Sequence, residues 1–146
     1  MDQQIYKQAI KYLSIRMHTT GELQRKLKAK GFKDQDILPV LQKLEELKFL
    51  DDGRFAEIFV DNLKRYKDWG YYGVKAKLKD RQVPSDIATL ALAEFYAIED
   101  ELAVAKRVVA KLERQNKNRD QIIRSLAAKG FRSEIVGKIL DNRTSE

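Results

Sequence analysis

The sequence predicts an all-α protein built as an elongated tandem array of three three-helix repeats. Three similar stretches end at Phe32, Val83 and Phe131, spaced about 50 residues apart, a period typical of repeat architectures. Aliphatic residues stand nine and five positions before each of these anchors, and a leucine stands nine positions after each. Apolar residues elsewhere recur at helical spacing, and no alternating pattern indicates a strand. We therefore expect nine helices, in repeats that span residues 1–54, 55–98 and 99–146.

The first repeat carries clear helix start and stop signals. After a helix over residues 5–16, Thr19 and Glu22 have the spacing of a capping box at the start of the second helix. Gly31 predicts a left-handed stop to that helix. A third helix is expected to begin at residue 34 or 36 and to end near residue 48. Pro39 favours the later start, because proline is tolerated in the first turn and costly further in.

The second repeat begins after a pair of aspartates. Asp51 is expected to cap the next helix, with Leu50 packing on Phe55 as a hydrophobic staple. At a helix start, a cap explains the pair better than metal binding or acid–base chemistry. Gln82 stands where the first repeat has its stop glycine, so this helix end is expected to be less sharply defined. Pro84 suits the first position of the following helix.

The third repeat has its own set of signals. Acidic residues at positions 99–101 complement the dipole of its first helix. Asn118 is the expected cap of the second helix, Gly130 its stop, and Ser133 the cap of the last helix. Residues 142–146 are expected to fray.

The composition excludes several classes of protein. The chain has no cysteine and one histidine, His18, which leaves no catalytic triad and no zinc cluster. Its glycines are dispersed and form no phosphate-binding loop. We therefore predict no enzymatic activity, no cofactor and no metal site. No apolar run is long enough to span a membrane and no signal peptide opens the chain, so a cytoplasmic protein is expected.

The positive charge points to a binding surface. A net charge of +7 favours polyanionic partners, although solubility alone can explain such a charge in a small domain. The charge is densest between residues 64 and 81, which hold seven cations and two acids. The candidate basic binding residues are Lys26, Lys30, Arg65, Lys67, Lys75, Lys77, Arg81, Arg124 and Lys129. Any one repeat's set also fits a solvated helix face; equivalent sets in three repeats favour a shared groove.

Four aromatic residues accompany the central cations. They are Tyr66, Trp69, Tyr71 and Tyr72. Such rings can stack on bases or anchor a protein interface. The alternative is that they close the connector between two helices over the core.

Several of these motifs are similar to those of the RecX family, in a match that runs from about residue 5 to residue 140. The most specific is the junction Leu-Asp-Asp-x-Arg-Phe-Ala. The elements concerned are Glu22-Leu23, Lys26-Leu27, Lys30-Gly31-Phe32, Leu50-Asp51-Asp52-Gly53-Arg54-Phe55-Ala56 and Lys129-Gly130-Phe131.

The resemblance implies a curved array of three-helix units that acts as a bacterial cytoplasmic regulator of the RecA recombinase. Such a protein would bind in the groove of the RecA–DNA filament and suppress strand exchange, ATP hydrolysis and coprotease function. The expected partners are this filament and, weakly and without sequence specificity, single- and double-stranded DNA. A monomer with no membrane association is expected.

Two other interpretations remain open at this point. A helix-turn-helix transcription regulator would also combine three-helix units with basic helices. However, the helices that would read DNA lack a clear set of Asn, Gln and Arg side chains for base edges. A protein-interaction scaffold is the third possibility, with its charge serving solubility.

Overall fold

The computed structural model describes the backbone of residues 1–144 and the side chains of residues 1–141, and this part of the chain is all-α. Its nine helices follow one another in three groups of three, and no strand occurs among these residues. The first group is α1 (Gln3–Ile15), α2 (Thr20–Ala29) and α3 (Asp34–Glu46). The second is α4 (Asp52–Tyr66), α5 (Tyr71–Asp80) and α6 (Ser85–Phe95). The third is α7 (Ile98–Arg114), α8 (Arg119–Ala128) and α9 (Ser133–Thr144).

The middle helix of each group shows the repeat most directly. Helices α2, α5 and α8 each contain ten residues, and each ends three positions before its anchor. Beyond each helix, the anchor N–H donates to a leucine carbonyl five residues back, at 3.3 Å for Phe32, 3.1 Å for Val83 and 3.1 Å for Phe131. This is the long hydrogen bond of a Schellman motif. The three helices therefore end in the same way.

The residue before each anchor adopts a left-handed backbone. Gly31 and Gly130, with φ of 97° and 84°, are confirmed as stops, and Gln82 has a φ of 64°. The expectation of a loosely defined end at Gln82 is wrong, because the same closing hydrogen bonds hold a residue with a side chain in this conformation. That conformation costs such a residue about 1–2 kcal/mol.

Most of the predicted caps are confirmed. The hydroxyl of Thr19 accepts from the Glu22 N–H and the Glu22 carboxylate accepts from the Thr19 N–H, both at 3.1 Å. Asn118 and Gln121 form the same box at the start of α8. Asp51 accepts from the backbone N–H of Arg54 at 3.0 Å. These caps satisfy amides that a helix start leaves without partners.

Other terminal predictions shift by a residue or more. Pro84 occupies the N-cap and not the first helical position, and Ser133 is the first residue of α9 and not its cap. The Leu50–Phe55 staple does not form, because these side chains pack into two separate apolar clusters. Helix α9 reaches Thr144, and the fraying expected over residues 142–146 stays a prediction, since residues 145 and 146 lie outside the described residues.

Helix α3 begins at Asp34 and keeps Pro39 in its interior, so the preference for the later start was wrong. Proline removes the N–H that would donate to the carbonyl of Gln35. Gln35 is exposed, so water can satisfy that carbonyl, and α3 buries an apolar stripe that offsets the loss. The stripe consists of Ile37, Val40, Leu41 and Leu44.

The apolar side chains form two cores. One lies within the first group of helices and extends to Leu50. The other joins the second and third groups through residues such as Val60, Leu78, Val108 and Ile135. The first group is therefore a separately packed unit, whereas the second and third groups share one interior.

Polar contacts join the first group to the second. The Thr19 hydroxyl donates to the Arg81 carbonyl at 2.6 Å, and the Thr20 N–H donates to the Asp52 carboxylate at 2.8 Å. The Arg81 guanidinium lies 3.4 Å from the Glu22 carboxylate. Gly21 leaves room for this approach, because a Cβ there would lie 2.7 Å from Cβ of Gln82.

Candidate functional site

The candidate site is built around the connector between α4 and α5. Two lysines lie over the Trp69 ring, with Lys77 Nζ at 4.7 Å and Lys129 Nζ at 5.8 Å from its centroid. Both distances suit cation–π attraction. The Trp69 carbonyl accepts a hydrogen bond from the hydroxyl of buried Tyr96 at 2.5 Å. Burial raises the pKa of Tyr96, and the nearby charge of Glu101 raises it further. Trp69 thus packs the connector against the core, and the ammonium groups of Lys77 and Lys129 lie next to its ring.

Tyr71 and Tyr72 continue this aromatic surface from the first turn of α5. Their rings meet edge to face, with centroids 5.4 Å apart. The guanidinium of Arg132 lies 4.1 Å from the Tyr71 centroid, which partly covers that ring. Tyr72 is 57% exposed. Of the two rings, Tyr72 is therefore the one open to a partner.

A buried carboxylate positions this arrangement. Glu101 in α7 is fully buried and accepts from Arg132 Nε at 2.6 Å. It also accepts from the backbone N–H groups of Tyr71 and Arg132, at 2.9 and 3.0 Å. One side chain of the third group therefore holds both the start of α5 and the arginine that covers Tyr71.

The backbones of the second and third groups also meet here. The Gly70 N–H donates to the Lys129 carbonyl and the Tyr72 N–H donates to the Gly130 carbonyl, both at 2.9 Å. Glycines permit this approach, since a Cβ on Gly130 would overlap the backbone nitrogen of Gly73. Predicted residues that are far apart in sequence, from Trp69 to Lys129, are thus brought together at one junction.

A cleft adjoins this junction on the other face of α5. It has a volume of about 580 Å³ and its lining includes the apolar side chains of Ala76, Val83 and Ala88. Tyr72 and two exposed lysines of α5, Lys75 and Lys79, complete much of its rim. Lys79 was part of the dense basic segment but not of the predicted binding set. Only the packing of α5 against α6 shows that it faces a cavity.

Lys26, predicted as a binding cation, has a role inside the first group. Its ammonium lies 2.8 Å from Nε2 of His18 and 5.2 Å from the Tyr12 centroid. Nδ1 of His18 lies 3.0 Å from the Arg16 carbonyl, so the neutral ring donates there and accepts from Lys26. Burial lowers the pKa of His18, and the charges of Arg16 and Lys26 act in the same direction.

The contact of Lys26 with His18 is the counterpart of the contact of Lys77 with Trp69. In both groups the ring stands fourteen residues before the anchor and the lysine six before it. The third group has Lys117 and Ser125 at these positions, so it cannot form the contact. Lys26 and Lys77 therefore each contact a ring of their own group, His18 and Trp69 respectively.

Arg81 and Arg65 are also engaged within the protein. Arg81 contacts Glu22 and lies 5.4 Å from the Phe59 ring. Burial opposes the charge of Glu22, but hydrogen bonds from Arg16 and the Thr19 N–H, with the Arg81 charge, lower its pKa overall. Arg65 pairs with Asp61 one turn earlier at 2.9 Å.

The remaining predicted residues are more accessible. Lys30, Lys67 and Arg124 are exposed, and Arg124 Nε lies 3.4 Å from the Asp120 carbonyl of its own helix. Tyr66 is 75% exposed at the end of α4. Among the side chains that the structure describes, Lys30 and Lys67 have no ion-pair partner. These residues stay candidates; Lys67 lies in the connector itself, whereas no contact joins Lys30, Arg124 or Tyr66 to the junction.

The equivalent cations of the three groups do not share one helix position. Lys26 and Lys77 stand six residues before their anchors, whereas Arg124 stands seven before Phe131. One residue corresponds to about 100° around a helix. The register of α2, α5 and α8 therefore does not put these three side chains at one equivalent position around their helices.

Sequence reasoning missed Arg132 and the role of Glu101. Glu101 was interpreted as one of three acids that complement the dipole of α7. In the structure these acids have different roles. The Asp100 carboxylate accepts from the Ala97 N–H at the start of α7, whereas Glu101 is buried. The apolar period of α7 offered a signal, because Glu101 precedes Val104, Ala105 and Val108 at helical spacing on the buried face.

The part of the chain that the structure describes has neither a metal-binding cluster nor a membrane-spanning helix. Its acidic and histidine side chains include no group of three or more placed to hold a metal ion. No helix among these residues is both apolar enough and long enough to cross a membrane.

The fold and the junction define a basic protein of three-helix units with an aromatic, cation-rich surface between the second and third units. Two family models match it: "RecX, first three-helix domain" over residues 6–44 and "RecX, second three-helix domain" over residues 51–92. The chain belongs to the RecX family.

Individual relatives agree with this assignment. The chain is 36% identical over 134 residues to the regulatory protein RecX of Prosthecochloris aestuarii, covering 91% of this chain and 89% of the relative. It is 30% identical to the regulatory protein RecX of Geobacillus kaustophilus, covering 92% of this chain and 52% of that relative. The chain thus spans about half the length of some relatives and most of others.

Solved structures show the same fold. A crystal structure of regulatory protein RecX superposes with a TM-score of 0.86 at 25% identity, covering 94% of this chain and 72% of the other. RecX from Lactobacillus salivarius gives a TM-score of 0.84 at 24% identity, covering 96% and 94%.

Proposed function

We propose that this protein binds the filament formed by the RecA recombinase on DNA and inhibits its recombinase, ATPase and coprotease activities, so regulating DNA repair and recombination. Membership of a family of regulatory proteins supports a regulatory role. The observation that carries the proposal is the junction of the second and third units, where Trp69, Lys77 and Lys129 meet. A filament offers both DNA phosphates and protein carboxylates to such a surface.

The protein acts by binding and not by catalysis in this proposal. It works as a cytoplasmic monomer, and its affinity for bare single- or double-stranded DNA is weak and independent of sequence. The exposed cations supply long-range attraction, while rings at the junction give short-range contact. Of the cations engaged internally, Arg81 contributes mainly by joining the first unit to the second, whereas Arg65 pairs within α4.

A charge-reversal experiment tests the proposal. The triple variant Lys67→Glu, Lys75→Glu and Lys79→Glu changes three exposed side chains at and beside the junction. The wild-type protein is expected to inhibit RecA-catalysed, DNA-dependent ATP hydrolysis and to cosediment with RecA–single-stranded DNA filaments. The triple variant should lose at least tenfold in affinity for the filament, because each lost phosphate contact and each new repulsion weakens binding.

The matched control carries the same change of charge elsewhere. It combines Lys7→Glu, Lys11→Glu and Lys43→Glu, all at exposed positions of the first unit. The control should inhibit nearly as well as the wild type at the same ionic strength. Equal inhibition by the two triple variants would contradict the assignment of the junction as the binding surface.

Titration against duplex and single-stranded DNA separates this function from the alternatives. A transcription regulator would prefer one duplex sequence, whereas the proposed regulator needs RecA and shows little sequence preference. A scaffold that uses its charge only for solubility would keep its partner affinity in the charge-reversed variant.

A further inference from the structure

We propose that the cleft between α5 and α6 is a subsite for single-stranded DNA that holds one unstacked base, with Tyr72 against the base and Lys75 and Lys79 on the adjoining phosphates. The inference rests on the proposed function, because it assigns to one cavity the DNA contact that a filament regulator makes.

The shape of the cleft suits a base. Its volume of about 580 Å³ lies within the range of small-ligand sites, about 300–1,000 Å³. Its lining includes Ala76, Val83 and Ala88, whose apolar side chains carry no charge. Ser85 adds a hydroxyl that can donate to or accept from a base edge. A planar ring with a polar edge is the ligand shape that this lining matches.

The ring at the rim is held ready for stacking. Tyr72 meets Tyr71 edge to face, Tyr71 is covered by Arg132, and Arg132 is fixed by buried Glu101. Tyr72 keeps 57% of its surface exposed. The third unit therefore supports a stacking platform that belongs to the second unit, at little cost in side-chain freedom on binding.

The charge at the rim selects a polyanion. Lys75 and Lys79 are one turn apart, so their side chains lie on the same face of α5. Both are exposed, and neither has an ion-pair partner among the described side chains. Other cations nearby, such as Lys77, already lie over a ring. These two lysines are therefore available to neutralise phosphates on either side of a bound base.

Single-stranded DNA fits better than a duplex. A base can enter the cleft only when it leaves the stack, and a duplex pays several kcal/mol for that step. Stacking on an aromatic ring beside a cationic track is the usual mode of binding a single strand without sequence preference. The cleft should accept any base, because its apolar residues do not distinguish one base from another and the Ser85 hydroxyl can both donate and accept.

The test measures binding of the purified full chain to a short fluorescent oligothymidylate and to an abasic strand of equal length, by anisotropy. Tyr72→Ala should weaken binding to the oligothymidylate about 5- to 150-fold, the range expected for one stacked base, and should leave abasic binding unchanged. Tyr72→Phe keeps the ring and should bind as the wild type. Phe49→Ala is the control, since Phe49 is also an exposed aromatic residue but lies outside the cleft and outside the predicted binding set.

Two further variants probe the cleft itself. Ala76→Leu places a larger side chain in its lining and should reproduce the loss seen with Tyr72→Ala. Changing Lys75 and Lys79 to glutamine should weaken binding of both strands. It should also lower the slope of log affinity against log salt concentration by the amount expected for about one to two phosphate contacts. Wild-type affinity in Tyr72→Ala and Ala76→Leu, or equal affinity of the wild type for the abasic and base-bearing strands, would overturn the proposal.

The same variants are assayed against RecA filaments to separate the two proposals. If the wild type inhibits the ATPase but binds abasic and base-bearing strands equally, the cleft proposal fails and the proposed function stands. If the wild type binds bases in the cleft but has no effect on RecA, the function fails and the subsite remains.

Discussion

Removal of the buried Glu101 carboxylate is expected to be the most disruptive single change at the junction. In Glu101→Ala, the Tyr71 and Arg132 N–H groups and the Arg132 guanidinium lose the acceptor that now lies 2.6–3.0 Å away. Each orphaned buried donor costs about 1–3 kcal/mol, and breaking one side of a buried ion pair costs about 3–5 kcal/mol. Because Arg132 keeps some access to water, we expect a loss near the lower end, about 3 kcal/mol.

Urea unfolding followed by circular dichroism measures this loss as a change in the free energy of unfolding. Glu99→Ala is the matched control, because Glu99 is exposed in the same first turn of α7 and should cost less than about 1 kcal/mol. A double variant with Arg132→Met should recover part of the loss, since it removes the unpaired charge. A cost for Glu101→Ala no larger than that for Glu99→Ala would refute the view that this carboxylate holds the units together.

The remaining predictions concern pH and backbone geometry. Because burial lowers the pKa of His18 below the unfolded value of 6.5, the unfolded chain takes up the proton first, and stability should fall as pH drops below about 6.5. Urea midpoints at pH 7.5 and 5.5 measure this, and His18→Gln should remove most of the difference. Gly31→Ala should cost about 1–2 kcal/mol for its positive φ, because a Cβ there meets no neighbouring atom. Gly130→Ala should cost clearly more in thermal melts, since its Cβ would overlap Gly73; equal costs would contradict the close packing of these backbones.

Local features of the fold were predictable from the sequence because they depend on neighbouring residues. The capping box of Thr19 and Glu22, the stop at Gly31 and the three anchors each use signals within one helix turn or a few residues. Gln82 was misjudged, because its left-handed backbone is stabilised by hydrogen bonds of the whole helix end and not by the residue's own preference.

The candidate site was harder to predict because its parts come from different units. The sequence identified Trp69, Tyr71 and Tyr72 as a cluster, but it gave no sign that Arg132 would cover one of these rings. Nor could it distinguish Lys77, which braces Trp69, from Lys75, which stays available. Counting lysines and arginines in the sequence gives the number of cations, whereas only the packing shows which of them already contact another group of the protein.

The division into two apolar interiors has a mechanical consequence. The first three helices meet the rest of the molecule through hydrogen bonds and the Glu22–Arg81 pair, which water can replace when the two parts separate. Tilting here would expose little apolar surface, whereas the same motion between the second and third units would open a shared interior. We therefore expect the second and third units to move together as one rigid body of six helices, and the first unit to tilt against it.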